Sequence, residues 1–298
     1  MNKIPVVSVL ITSYNREKYI AEAIESVLAS SLKDFELIIV DDASTDNTYS
    51  ICTEYAEKDK RIKLYRNPIN LKQFGNRNRA ASLATTDLIK YLDSDDIIYP
   101  HGLEVMVNAM LQYPQAGFAA ECYFEGFDKR LPYLFDSNES YINHFIEKSM
   151  LLYIGPSGTI FRKSIFTQTG MFNEEIGILA DTLLSLQMAA MAPVIGLSRN
   201  LFYWRVHNER VTVGQDDELE MMRERHAINM IALNDIKCPL SPENKAIVLR
   251  NMTYIYVRKT FRYFLRTFDI KGTRKLIRDG KIKFAYLIYA FSGNKKIK

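Results

Sequence analysis

The chain has 298 residues, 47% of them hydrophobic and 25% charged, the composition of an ordered globular protein rather than a disordered or fibrous one. Its three cysteines, Cys52, Cys122 and Cys238, lie far apart without metal-ligand spacing, which argues against a disulfide framework and fits a reducing compartment. The net charge of +4 hides an asymmetry: residues 250–298 carry 14 Lys/Arg and two Asp/Glu (+12), while the remainder has 25 against 33 (−8), so the two parts are expected to do different work.

The start, MNKIPVVSVLITSYN, shows no signal-peptide cleavage pattern, and no apolar run approaches the roughly 18–20 residues that span a bilayer. The first element is VVSVLI (6–11), a run rich in β-branched residues of the kind buried on both faces of a parallel sheet. An amphipathic helix follows, with Tyr19, Ile20, Ala23, Ile24, Val27 and Leu28 at helical spacing. FELIIV (35–40) is a second buried strand and ends in DDASTDNT; the next helix shows Ile51, Tyr55 and Ala56 on its apolar face. IKLY (62–65) is a short third strand, and the polar loop RNPINLKQFGNRN leads into a helix around residues 76–84. DLIKYL (87–92) is a fourth strand, with DSDD at its carboxyl end. Strand–helix alternation of this kind specifies an open α/β sheet, whose ligands bind beyond the carboxyl ends of the strands.

Three polar clusters fall at that edge: TSYN, DD and DSDD. Polar loops carry carboxylates by default, yet three clusters at one edge point to a site. Packed carboxylates repel one another and need compensation. No GxGxxG and no GxxxxGK[ST] is present, so a bound nucleotide's phosphates are not held by a glycine loop. A divalent cation on the DSDD carboxylates would neutralise them and bridge to phosphate, and hard oxygen ligands suit Mg2+ or Mn2+.

These segments carry a resemblance. VSVLITSYNREKYIAEAIESVLAS, FELIIVDDASTDNT and GNRNRAASLATTDLIKYLDSDD resemble successive blocks of the family 2 inverting glycosyltransferases. Downstream, SGTIFRKSIFTQTGMFNEEIGILADTLLSLQMA resembles the family's acceptor-side block, and LFYWRVHNERVT its Tyr-x-Arg-x-His segment. The resemblance covers about residues 4–214. It implies a GT-A fold: an open, mostly parallel α/β sheet flanked by helices, with a nucleotide-sugar-binding half (1–100) and an acceptor half (101–214), here followed by a basic helical region (215–298).

The resemblance also implies roles. Thr12 and Tyr14 would line the nucleotide base, and Asp42 would read its edge. Asp93 would face the ribose and Asp95 the metal and diphosphate, as a DxD motif. Arg77 and Lys72, in the preceding loop, would either touch phosphate or be solvated charges. Asp96 is expected to be structural, capping the next helix. Asp181 matches the proposed catalytic base, although Ala180 stands where the family has a glutamate; a helix N-cap is an alternative role for Asp181. His207 matches the histidine that completes the metal or diphosphate site, and Arg205 would pair with diphosphate or support its loop. Trp204 is expected to pack rather than to stack on a sugar, and His101, His144 and His226 receive no role.

The implied reaction is a single inverting displacement. Asp181 takes the acceptor hydroxyl's proton, and the metal stabilises the leaving diphosphate. The donor is expected to be UDP-linked, and the acceptor a glycan or lipid-linked glycan of polysaccharide or envelope synthesis. Rival functions are a binding protein of the same fold with a lost active site, for which Ala180 speaks, and a metal-dependent phosphotransferase. The latter places its nucleophilic DxD after the first strand, where this chain has TSYN. A sugar nucleotidyltransferase would need a glycine- and arginine-rich first loop, which is missing.

In the tail, Tyr254, Val257, Phe261, Phe264, Leu265 and Phe268 form a helical apolar stripe flanked by Arg258, Lys259, Arg262 and Arg266. It would lie on an anionic membrane surface or pack on the domain or a second subunit. FAYLIYAF (284–291) is too short to span. Nucleic-acid binding is disfavoured, because no nucleic-acid module accompanies the charge. The expected location is cytoplasmic, peripheral at the inner face of the cell membrane.

Overall fold

The computed structural model describes residues 4–122, 128–147, 151–207 and 218–282. The chain divides into two compact units: residues 1–175 with 180–207, and residues 176–179 with 208–298. The expected boundary at 214 and the run 284–291 lie outside the described residues.

In chain order the first unit holds β1 (Val7–Ser13), α1 (Ile20–Leu28), β2 (Phe35–Asp41), α2 (Thr48–Lys58), β3 (Ile62–Arg66), α3 (Lys72–Leu83), β4 (Leu88–Asp93), β5 (Ile97–Ile98), α4 (Gly102–Gln112), β6 (Phe118–Glu121), β7 (Tyr133–Phe135), α5 (Ser137–Phe145), β8 (Thr159–Arg162), α6 (Lys163–Thr169), α7 (Ala180–Met191), β9 (Val194–Leu197) and β10 (Phe202–Tyr203). The sheet order is β3-β2-β1-β4-β8-β6-β9-β7. The first four strands in that order are mutually parallel, and β8 turns antiparallel between β4 and β6. β5 and β10 form a separate antiparallel pair. This is the open, mostly parallel α/β sheet expected from strand–helix alternation.

β1, β2 and β4 are buried on both faces, whereas β3 at the sheet edge buries only Ile62. Successive side chains of a strand point to opposite faces. Val7, Val9 and Ile11 of β1 join the core cluster built by α1, α2 and α4, while α3 packs across β1 and β2. On α1, Ile20, Ala23, Ile24 and Val27 are buried, as the spacing requires. Full burial of each larger side chain contributes about 1.5–3 kcal/mol, so a charge at Ile24 would undo this packing.

Two sequence expectations are corrected here. α3 begins at Lys72, about one turn before the expected start, so Lys72 and Arg77 are helix residues and not loop residues. Asp96 does not cap a helix: β5 follows it, and α4 begins after His101 without a side-chain cap.

The second unit contains α8 (Glu218–Asn234), α9 (Pro242–Thr267) and α10 (Ile270–Asp279). Ser241 caps α9 by accepting from Asn244 N at 3.2 Å, with Pro242 in the first turn. Asp269 caps α10 by accepting from Gly272 N at 2.9 Å. A small core of Leu219, Tyr256 and Leu276 joins the three helices. The apolar stripe read from the sequence runs along α9 to its C-cap: Val257 is buried, and Phe261, Leu265 and the C-cap residue Phe268 are exposed. No helix among the described residues is long and apolar enough to cross a membrane.

Candidate active site

The strand register brings the three polar clusters together. Ser13 of β1 pairs with Asp41 of β2, and Thr12 pairs with Asp93 of β4. The loops beyond β1 and β2 are stitched to each other. Asn15 N donates to Ser44 Oγ at 3.0 Å, Thr45 N donates to Asn15 Oδ1 at 2.8 Å, and Arg16 N donates to Thr48 Oγ1 at 2.7 Å. Asn15 and Ala43 adopt left-handed backbone, φ 52° and 60°. That conformation is costly for a residue with a Cβ, by roughly 1–2 kcal/mol, and such strain gathers at functional edges.

Thr12 is partly buried and Tyr14 exposed at this edge. Asp42 is buried, and its Oδ1 accepts from Asn67 Nδ2 at 2.6 Å and Leu71 N at 2.8 Å. Its neighbour Asp41 turns inward, accepting from Ser44 N and lying 3.3 Å from Arg66 Nε.

Beyond β4 the carboxylates diverge. Asp93 Oδ1 accepts from Arg77 Nη2 at 2.5 Å. Arg77 is 3% exposed and lies over the rings of Phe74 and Phe172. Asp95 Oδ2 sits 3.1 Å from His207 Nε2 and 3.3 Å from Arg16 Nε. His207 packs at a tilt against Tyr19, with ring centroids 4.4 Å apart. Residues 112 positions apart therefore meet at one carboxylate. Asp96 accepts from Arg205 N at 3.1 Å; burial, reinforced by Asp93, pushes its carboxyl up to about 7.

Arg205 donates from Nε to Asp95 O at 3.0 Å and from Nη2 to Glu22 Oε2 at 2.5 Å. It thus ties the segment before His207 to the turn after β4 and to α1. Trp204 is 57% exposed. The two-residue β10 ends just before it and leaves the ring outside the core.

Asp181 lies in the first turn of α7, one residue past buried Ala180, so it is not the N-cap. It accepts from Thr182 N at 2.6 Å. Burial pushes its carboxyl up to about 6, opposed chiefly by the Arg77 guanidinium. A Cβ at Gly155 would stand 3.9 Å from Asp181 Oδ2. Two residues on, Ser157 Oγ accepts from Asp93 N at 3.0 Å, so one turn touches the Asp93 backbone and borders Asp181.

Arg16, Glu22, Ser157 and Lys90 are site residues that sequence reasoning misses. Lys90 carries a signal, a charge inside a strand buried on both faces. It is fully buried beneath the site and donates to Tyr91 O and, at 2.5 Å, to Ser157 O. Burial lowers its amine to about 7. The others carry no local signal, because their partners are distant in sequence.

Among the described residues no cluster of three or more His, Cys, Asp or Glu side chains is built to hold a metal. The Asp95 carboxylate and the His207 imidazole nonetheless form a two-ligand O/N set, which suits a divalent cation that takes further oxygens from phosphate and water.

A family model described as "Glycosyl transferase family 2" matches residues 8–169. The UDP-Glc:alpha-D-GlcNAc-diphosphoundecaprenol beta-1,3-glucosyltransferase WfgD of Escherichia coli is 39% identical over 107 residues, 36% of this chain and 42% of that protein. The chain spans about two-fifths of the length of the curated relatives it matches first, 39% and 43%. Among solved structures, S. aureus TarS 1-349 in complex with UDP-GlcNAc superposes with a TM-score of 0.69 at 22% identity, covering 92% of this chain and 79% of that one. The mannosyltransferase PcManGT of Pyrobaculum calidifontis, in complex with GDP-Man and Mn2+, gives 0.64 at 18% identity, covering 96% and 86%. At these identities the structural likeness speaks for the fold.

Proposed function

The chain belongs to glycosyl transferase family 2, and from that premise we propose that it moves a sugar from a UDP-linked donor to a hydroxyl of a glycan or lipid-linked acceptor, with inversion. The observation that carries this is the shared edge of Asp93, Asp95 and Asp181, each with different partners. Like carboxylates in one cleft, held to separate tasks by their surroundings, are the pattern of a catalytic site.

Thr12, Tyr14 and Asp42 form the base-side wall and Asp93 the ribose contact. Asp95 and His207 hold Mn2+ or Mg2+, with Arg205 and Arg16 steadying that carboxylate's surroundings. When bound, the cation supplies Lewis-acid stabilisation of the leaving diphosphate. Arg77 carries positive charge between Asp93 and Asp181. Asp181 accepts the acceptor hydroxyl's proton; a base titrating at about 6 is ionised at neutral pH and still basic enough to work. UDP is favoured because the E. coli relative is a UDP-Glc transferase and TarS has been solved with UDP-GlcNAc. By the same reading residues 1–100 are the donor half, 101–214 the acceptor half and 215–298 a basic helical appendage. That appendage holds the enzyme peripherally at the inner membrane face.

The test is UDP release from a panel of UDP-sugars with Mn2+. Asp181→Asn should lower transfer by about 10²-fold or more with donor binding retained. Near-normal turnover would remove Asp181 as the base, and tighter binding of GDP than UDP would overturn the donor assignment.

A further inference from the structure

Helices α8 and α9 enclose a groove of about 320 Å³ within the second unit, near the lower end of small-ligand sites. Met222, Met252 and Ile255 supply its apolar lining, and Arg225, Lys259 and Arg262 its charge. His226 stacks on Tyr256, with centroids 4.1 Å apart, closing one side with a ring whose pKa burial lowers. The one acid among the described lining residues, Glu218, is ion-paired with Arg266.

We propose that this groove binds a single anionic membrane lipid, with the phosphate headgroup among Arg225, Lys259 and Arg262 and the hydrocarbon along Met222, Met252 and Ile255. Two features point to a lipid over a bare anion. The apolar lining is methionine and isoleucine, and the same helix exposes Phe261 and Leu265 elsewhere on its surface. The C-terminal residues carry +12, a charge that complements an anionic surface. The three cations also crowd one another: burial, then Arg225 and Arg262, lower the Lys259 amine, and an anion among them relieves that repulsion.

The inference deepens the membrane-surface reading of the basic region and is separable from it and from transferase activity. The full chain is sedimented with phosphatidylcholine vesicles, with and without phosphatidylglycerol. It should bind only the vesicles that contain phosphatidylglycerol. Lys259→Glu with Arg262→Glu should weaken binding by at least about 30-fold, taking roughly 1 kcal/mol per cation. Lys271→Glu with Arg274→Glu makes the same charge change on α10, outside the groove, and should alter binding less than about 2-fold. Ile255→Gln, at unchanged charge, should weaken it several-fold. Dihexanoyl phosphatidylglycerol as monomer should raise Tm, and inorganic phosphate should not. Equal losses from the two charge reversals would reduce the effect to diffuse attraction and overturn the groove while leaving the membrane reading standing. Equal protection by inorganic phosphate, or an inert Ile255→Gln, would also overturn it. If the double reversal unfolds by circular dichroism, Lys259→Gln carries the comparison and should still lose about 5-fold.

Discussion

Replacing Arg77 with Met tests whether one guanidinium governs two carboxylates. Arg77 is buried, bonded to Asp93 and seated over Phe74 and Phe172. Met keeps an apolar chain against those rings and deletes the charge. Removing one partner of a buried pair costs about 3–5 kcal/mol. Asp93's side chain is 33% exposed, so water recovers part of that, and about 1–3 kcal/mol is expected. Asp181 feels the change separately. Its carboxyl stands at about 6 with Arg77 as the largest lowering influence. An opposite charge nearby depresses a carboxyl by roughly 1–3 pH units; because Asp93 shares the guanidinium, the acid limb of kcat/KM should rise by about one. A base titrating at about 6 is half ionised at pH 6, whereas one at about 7 is roughly 10% ionised there. The pH-dependent loss is then about 5-fold at pH 6, about 2-fold at pH 7 and slight at pH 8. Stability follows the same sign. A carboxyl raised in the fold favours the native state at low pH and loses that contribution as pH rises through about 6, so the variant's Tm should fall further at pH 8 than at pH 5. The assay is UDP release across about pH 5.5–9, with Arg77→Lys as the charge-retaining control. A loss uniform in pH, or an acid limb that stays put, refutes the coupling.

Asp95→Asn should abolish most Mn2+-dependent UDP binding by calorimetry while leaving Tm within a few degrees, since Asp95 sits at the site's rim with Arg16 and His207; unchanged binding would take Asp95 out of the site. Lys90 titrates at about 7 in the fold and at about 10.4 unfolded, so between these values the unfolded chain holds the extra proton and stability rises with pH. Lys90→Met should flatten that rise in denaturant titrations and weaken donor binding by loosening Ser157; an unaltered slope contradicts the buried amine. Gly170 ends α6 at φ +102°, and nothing lies within 4 Å of where a Cβ would stand. Gly170→Ala therefore tests backbone strain alone and should cost about 1 kcal/mol in urea unfolding.

Sequence by itself determined the strand–helix alternation and the edge at which the polar clusters gather. VSVLITS, FELIIVD and LIKYLD are apolar on both faces, and that pattern leaves one way to bury them. The spacing of Ile20, Ala23, Ile24 and Val27 likewise allows one helix face. Periodicity is local, so it is legible in a linear chain. Partnership is not. Arg16 and His207 meet at Asp95 only once β1, β4 and the segment after β10 are assembled. Lys90 acquires its lowered amine from the layers that close over it. The start of α3 escapes a linear reading because its first turn, KQFG, is polar and uncapped, and tertiary packing of Phe74 decides it. Asp96 resembles a cap because DSDD precedes a helix in sequence, but the β5–β10 pairing intervenes. Charges and hydrogen bonds act over a few ångströms of space, and only the folded chain says which residues those ångströms join.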